Sequence, residues 1–201
     1  MTKPRLSDLP FPVVLASASP TRRELLETLL GRFEVVPPHV DEAQVAVEDA
    51  RARALELARR KAREVAARRP GAVVIGADTL VVCQDELIGK PRDHADAVRV
   101  LRKLTHNAHS VVTAVLIVCP DGRERSVCVE TVLHMRPMSD DRIAEYLGGI
   151  DPLGRAGAYA IEPDDPNVER LNGSVTGVMG LPLEEVAEML GDLFPGGTKA
   201  E

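Results

Sequence analysis

Two long β-branched runs, SVVTAVLIVC over 110–119 and ERSVCVETVLHM over 124–135, are separated only by a turn containing Pro120-Asp121-Gly122. Such a pair predicts a long antiparallel hairpin in the middle of the chain. Around it, short apolar runs alternate with stretches of helical period, a pattern that on its own suggests strand–helix–strand units. A sheet that accommodates both is mixed. The expected class is therefore α/β, with a mixed sheet flanked by helices.

The flanking segments can be read in order. PVVLAS (12–17) reads as a buried strand. SPTRRELLETLL (19–30) reads as a helix with Ser19 as N-cap, Pro20 at its first position and Gly31 as its stop. FEVV (33–36) reads as a second strand, closed by Pro37 and Pro38. Residues 48–69 form the longest helical pattern, with Ala54, Ala58 and Val65 on one face and Lys61 on the same stripe. AVVIGADTLVVC (72–83) reads as two apolar half-strands joined at Gly76-Ala77-Asp78. Further helices are expected at 93–104, 139–147 and 182–190, the last with Pro182 at its first position. No internal repeat is present. A single domain is expected, with its core over about 12–192 and a frayed tail at 195–201.

Composition narrows the function classes. Aromatic residues are 2% of the chain and Trp is absent, so the core must be aliphatic. The same scarcity, with a formal net charge of -6, argues against a nucleic-acid binder that stacks bases and tracks phosphates. Cys83, Cys119 and Cys128 show no C-x-x-C spacing and read as small core residues in a reducing compartment. The N-terminal MTKPRLSDLPFP has no apolar signal core, and no run approaches the roughly 20 apolar residues of a membrane span. A cytoplasmic protein is expected.

Several short motifs carry candidate chemistry. In L-A-S-A-S-P-T-R-R-E (15–24), a strand ends in small residues and feeds a helix start. Free N–H groups and the helix dipole favour an anion there, and Arg22 in the first turn adds a bidentate cation. An ordinary capped helix is the plainer alternative, yet two arginines in a first turn oppose the dipole and call for negative charge nearby. Asp78 in G-A-D-T lies between apolar runs, where a carboxylate must be paired, hydrogen-bonded or metal-bound, unless it simply occupies a turn. Asp41-Glu42 offers adjacent carboxylates for a hard cation, or a solvated loop pair. Lys61 and Lys90, the latter in I-G-K-P, are two lysines able to reach a polyphosphate, although Lys61 could instead snorkel. His106 and His109 fall in an expected turn without carboxylates at metal-site spacing.

Taken together and in this order, the motifs L-A-S-x-S-P-x-R, D-E, L-A-x-x-K-A, G-A-D-T, G-K-P, A-G-A-Y and G-L-P-L resemble the Maf family over Leu15 to about Leu190. The resemblance implies an elongated mixed sheet akin to inosine-triphosphate pyrophosphatases, with two lobes around a cleft. It also implies a metal-dependent nucleoside triphosphate pyrophosphatase, using Mg²⁺ or Mn²⁺ and often forming homodimers. The family's proton acceptor falls on Asp78, and its phosphate-handling groups on Ser17, Ser19, Arg22, Lys61 and Lys90. Its metal-site acids fall on Glu42 and Asp78, and its specificity positions on Thr21, Thr79 and Glu162.

One branch of that family acts on dTTP and UTP and reads S-P-R-R with a glutamine in G-I-Q-G. The other acts on 7-methyl-GTP and has a glutamate at the glutamine's place. Here Glu162, followed by Glu169-Arg170-Leu171, favours the second branch: a carboxylate can accept hydrogen bonds from guanine and complement its positive methylated ring. A-G-A-Y resembles the first branch, Gly154-Arg155 departs from its Asp-Lys pair, and Thr21 departs from the large residue of the second. The expectation is thus a 7-methyl-GTP pyrophosphatase, with a dTTP/UTP pyrophosphatase as the alternative. A non-catalytic nucleotide-binding regulator of cell division is the alternative from another class. The partner is a small nucleotide, with neither nucleic acid nor membrane.

Overall fold

The computed structural model describes residues 9–195, so the expected frayed tail lies, beyond Pro195, outside the described residues. Its elements are β1 (Val13–Ala16), α1 (Pro20–Leu29), β2 (Glu34–Val35), α2 (Ala50–Arg68), β3 (Val73–Cys83), β4 (Glu86–Ile88), α3 (His94–Thr105), β5 (His109–Val118), β6 (Glu124–Met135), α4 (Asp140–Gly148), β7 (Val168–Asn172), the single turn α5 (Val175–Val178) and α6 (Leu183–Leu193). Short 3₁₀ turns occupy Glu42–Gln44 and Ala156–Ala158.

Seven strands form one sheet in the order β2-β1-β3-β5-β6-β7, with β4 paired to β3. Both β2 and β3 run parallel to β1, whereas β4 runs antiparallel to β3 and β7 antiparallel to β6. The expected mixed α/β sheet is therefore present. Strands β5 and β6 are the long runs of the predicted hairpin; Cys119 N–H donates to the Arg123 carbonyl at 2.9 Å to close their turn.

The chain divides into two compact units. Of the described residues, the first takes those up to Asp78, Thr113–Cys128 and those from Gly180 to Pro195; the second takes Thr79–Val112 and Val129–Met179. Each has its own aliphatic core. In the first, Val14, Ala16, Val36, Val65, Ala72 and Val74 pack together. In the second, Leu101, Leu104, Leu133, Ile143 and Leu147 gather with Tyr159, one of the few aromatics. Burying such a side chain contributes about 1.5–3 kcal/mol, so aliphatic residues in number can replace missing aromatic rings.

Several local expectations need correcting. Residues 72–83 are not two half-strands: β3 runs unbroken through Gly76-Ala77-Asp78, and Gly76 still pairs with Ala16 of β1. The glycine marks a close approach of a helix rather than a break. FEVV shortens to the two exposed residues of β2. Helix α1 ends at Leu29, two residues before the expected glycine, because Leu30 takes an extended backbone and its N–H donates to the Leu26 carbonyl. Pro182 caps α6 from outside instead of opening it. Cys83 and Cys119 are buried as expected, but Cys128 is only half-buried. His109 does not sit in a turn. It opens β5, is buried, and contacts the Tyr159 hydroxyl through Nε2 at 3.2 Å. Strands β4 and β7 carry too few apolar residues to betray themselves by pattern.

Candidate active site

The site in the first unit is built on the contact between α2 and β3. The inward stripe of α2 is Ala54, Leu57, Ala58, Lys61, Ala62 and Val65, spaced three or four apart so that all face the sheet. Three of these are alanines, and opposite them β3 presents Gly76. A Cβ added there would stand 2.7 Å from the Ala62 Cβ and 2.9 Å from the Ala58 carbonyl oxygen. Helix and strand thus touch backbone to backbone. Lys61, next to Ala62, is carried down beside Asp78, two residues beyond Gly76.

Both charged side chains are withdrawn from water, with Lys61 8% and Asp78 5% exposed. The Lys61 ammonium donates to Asp78 Oδ1 at 2.6 Å and lies 2.6 Å from Glu42 Oε1. One cation therefore bridges two carboxylates. The second oxygen of Asp78, Oδ2, is buried and has no hydrogen-bond partner. Burial drives the Asp78 carboxyl above the usual carboxylate range and Glu42 adds to this, while the positive charges of Lys61 and Arg22 pull it back. Lys61 does not snorkel; its charge is spent inside.

Asp41 and Glu42 divide their work. Asp41 caps its 3₁₀ turn, accepting from Ala43 N–H at 3.1 Å and from Gln44 Nε2 at 3.0 Å. Its neighbour Glu42 turns to Lys61, and the turn is anchored by Val45, which is 2% exposed. Glu42, the expected metal-site acid, is thus the one that shares the Lys61 ammonium with Asp78.

The start of α1 forms the other half of this site. Ser17 is buried, and its Oγ accepts from Ser19 N–H at 3.1 Å; the Ser19 Oγ in turn accepts from Arg22 N–H at 3.3 Å. These bonds fix the strand-to-helix bend and leave both hydroxyls able to donate elsewhere. The first turn holds no acid. Of its two arginines, exposed Arg23 turns back to Glu27 at 2.8 Å. Arg22 instead points inward, half-buried, with Nε donating to the Gly180 carbonyl at 2.8 Å. Burial pulls its guanidinium below the ordinary arginine range, and the charges of Asp78 and Glu42 oppose that shift. Arg22 thus shares an electrostatic environment with both carboxylates. Thr21, in the same turn, is half-buried.

Of the sequence-predicted residues, Ser17, Ser19, Thr21, Arg22, Glu42, Lys61 and Asp78 belong to this unit. Thr79, Lys90 and Glu162 belong to the second. There the G-K-P and A-G-A-Y motifs meet, because Gly157 N–H donates to the Gly89 carbonyl at 3.2 Å. Lys90 is exposed, whereas Pro91 beside it is buried. Gly157 has φ +77°, and a Cβ there would lie 2.7 Å from the Tyr159 ring. Tyr146 Oη donates to the Ala160 carbonyl at 2.6 Å and accepts from Ala160 N–H at 3.1 Å. Glu162, next along, lines a cavity of about 400 Å³ with Arg136, Ile161, Asp164 and Leu171.

Two glycines of the named motifs act through their backbone. Gly76 of G-A-D-T is not a joint: a glycine inside a β-branched run signals close backbone approach. Gly180 of G-L-P-L supplies a carbonyl, which no side-chain pattern reveals.

With this geometry in place, likeness to known proteins becomes informative. The model of the family described as Maf-like protein matches residues 12–193. A protein of Geobacter sulfurreducens named dTTP/UTP pyrophosphatase is 44% identical over 183 residues, covering 89% of this chain and 94% of that one. Proteins bearing the same name from Anaeromyxobacter and Vibrio parahaemolyticus are 43% and 38% identical, covering 90% and 89% of this chain and 88% and 95% of theirs. A solved nucleoside-triphosphatase (dITP/XTP pyrophosphatase) from Mycobacterium abscessus aligns with TM-score 0.42 and 18% identity over 62% of this chain and 74% of that one.

Proposed function

Because this chain belongs to the Maf family, we propose that it is a hydrolase that splits a nucleoside triphosphate into monophosphate and pyrophosphate, with dTTP and UTP its favoured substrates. The names carried by relatives 38–44% identical support the pyrimidine branch over the 7-methyl-GTP preference suggested by Glu162. The observation that carries the reading is the buried Lys61–Asp78 pair with Glu42 on the same ammonium, in one unit with the anion-ready start of α1.

Asp78 is the proton acceptor. Without nucleotide, Lys61 engages Oδ1 and Oδ2 is unpartnered, so the carboxylate keeps an oxygen able to take the proton of an attacking water. A carboxyl lifted by burial is also a stronger base than an exposed one. Water oriented by Asp78 attacks the α-phosphorus, and pyrophosphate departs. The Arg22 guanidinium and the N-terminus of α1 offer donors and positive potential to phosphate oxygens. Ser17 and Ser19 supply hydroxyl donors beside them. Lys61 adds a cation for the polyphosphate; Lys90, expected to do the same, belongs to the second unit.

The residues also suit a divalent metal ion. Glu42 and Asp78 are hard oxygen donors, and the orphaned Oδ2 is a buried acceptor waiting for a partner. No cluster of three or more His, Cys, Asp or Glu capable of holding a metal occurs among the described residues, so these two would hold it with water and phosphate oxygens, as Mg²⁺ commonly requires. When bound, such an ion neutralises charge on the leaving pyrophosphate. Among the described residues no helix is long and apolar enough to cross a membrane, and no cysteine forms a disulfide.

The test is a pyrophosphate-release screen with dTTP, UTP and 7-methyl-GTP in the presence of Mg²⁺ or Mn²⁺. Turnover of the first two ahead of the third is expected. Tight nucleotide binding with no product after long incubation would instead support the non-catalytic regulator.

A further inference from the structure

We infer that Lys61 is the resident counter-cation of the Asp78–Glu42 pair, surrendering that place only when a divalent cation arrives together with a triphosphate. The inference deepens the proposed function and rests on its view that this site handles a metal–triphosphate complex.

Three observations carry it. First, the ammonium stands 2.6 Å from an oxygen of each carboxylate, where it performs the neutralisation a metal ion would. Second, the charges of Asp78 and Glu42 are already balanced by those of Lys61 and Arg22, both of which lie within electrostatic range of Asp78. A bare divalent cation would leave the cluster with two positive charges in excess, beside a Lys61–Asp78 pair that is withdrawn from water. Third, Asp78 Oδ2 is sealed from solvent, so an incoming ion reaches it only if a neighbouring side chain moves. Lys61 is suited to that movement. Its ammonium rides on a flexible four-carbon stem, whereas Arg22 is tied to the Gly180 carbonyl at 2.8 Å.

A triphosphate changes the balance. It carries enough negative charge to absorb the metal and still offers oxygens to the displaced ammonium. Lys61 exchanges carboxylate partners for phosphate partners, and the carboxylates exchange ammonium for metal. No cation is left unpaired at either stage. The pair is thereby protected from loading with metal alone, and uptake of the two ligands becomes mutually dependent.

The experiment titrates Mn²⁺ into nucleotide-free protein and follows free Mn²⁺ by electron paramagnetic resonance, with melting temperature as a second readout. Lys61→Met should bind Mn²⁺ about 100-fold more tightly than wild type, the order expected when one positive charge is removed a few ångström from a divalent ion. Mn²⁺ should raise the melting temperature of Lys61→Met far more than that of wild type, as a ligand specific for the folded state must. Lys61→Gln, which keeps a hydrogen-bond donor without the charge, should behave as Lys61→Met does and guards against misfolding of the latter. Adding Asp78→Asn to either variant should abolish the gain. Wild type should take up Mn²⁺ tightly once a triphosphate analogue with a non-hydrolysable α–β bridge is present. Equal Mn²⁺ affinity in wild type and both variants without nucleotide would overturn the inference. Pyrophosphate release by wild type separates the two failures. If release occurs but neither variant gains Mn²⁺ affinity, only the exchange role of Lys61 falls; if no release occurs, the proposed function falls.

Discussion

Gly76 of β3 lies so close to Ala62 of α2 that a Cβ built on the glycine would stand 2.7 Å from both the Cβ and the amide nitrogen of the alanine. Real Cβ atoms do not approach backbone so closely, so helix and strand would have to part. The contact matters because Lys61 precedes Ala62 and Asp78 follows Gly76 by two, with 2.6 Å between their charged atoms. Gly76→Ala should therefore lower stability by about 1–3 kcal/mol through overpacking. It should also lower kcat by about 100-fold, since ångström shifts of positioned groups have effects of that size. Denaturant titration and steady-state kinetics on the same preparation check both. Normal turnover in a destabilised variant would show that this packing does not set the lysine's position.

Arg22→Lys keeps the charge but loses the planar fork and the Nε bond to the Gly180 carbonyl. The expected outcome is a fall of about 10²–10³ in kcat/KM, on the scale of losing an oriented donor to a reacting phosphate. Arg23→Lys is the control, because exposed Arg23 only pairs with Glu27. Comparable losses in both variants would show that the inward fork of Arg22 and its bond to Gly180 are not what the reaction depends on.

Asp78→Asn retains an oxygen that can accept from Lys61 but cannot take up a proton. Turnover should drop by at least about 10²-fold. The fold should survive with a melting temperature within about 4 °C of wild type, equivalent to roughly 1 kcal/mol for a chain of this size. Burial already penalises the ionised carboxyl, so an uncharged amide removes a cost as well as a contact. Full activity in this variant would remove Asp78 from its role.

The His109–Tyr159 pair predicts how stability responds to acid. Burial holds the His109 imidazole below its ordinary value of 6.5, and the nearby His134 acts in the same direction, against the opposing pull of the Asn107 carbonyl. The unfolded chain therefore binds the proton more readily than the folded one. Stability is fully present above about pH 6.5 and declines as pH falls from there toward the lowered folded-state value. His109→Gln, measured by urea unfolding across this window, should flatten that decline. An unchanged slope would assign the acid sensitivity elsewhere.

Glu162→Gln tests the choice of base. The cavity beside Glu162 also holds Asp164 and Asp165, so an amide there removes one of several negative charges. The ratio of kcat/KM for dTTP or UTP over 7-methyl-GTP should rise by about tenfold, the value of one charge-assisted hydrogen bond. A ratio that does not move would dissociate Glu162 from selectivity.

Much of this was legible before any coordinates. Helix α1, its Ser19 cap and Pro20 follow from local chemistry, as does the hairpin of β5 and β6 from two β-branched runs around a Pro-Asp-Gly turn. The periodicity of α2 put Lys61 on the buried stripe, where it lies. Strand β7, reading VERLN, is not legible because the adjacent Glu169 and Arg170 point to opposite faces and are both exposed, which leaves no apolar alternation. The continuity of β3 was missed because a Gly-Ala-Asp step reads as a turn until a helix is laid against it.

Local sequence thus settled the helices, the longer strands and which residue types were available for chemistry, because caps, periodicity and turn residues act over a few positions. Which charges met was left to the tertiary fold. Nothing near position 61 announces that its ammonium will sit between Glu42 and Asp78, or that Arg22 rather than Arg23 will turn inward to Gly180. Such partners lie 17, 19 or 158 residues apart, and only the close packing of Gly76 on Ala62 and the return of the chain at Gly180 bring them within bonding distance. Pairing energies between charges depend on separation and burial, and both quantities come into existence only when the chain has folded.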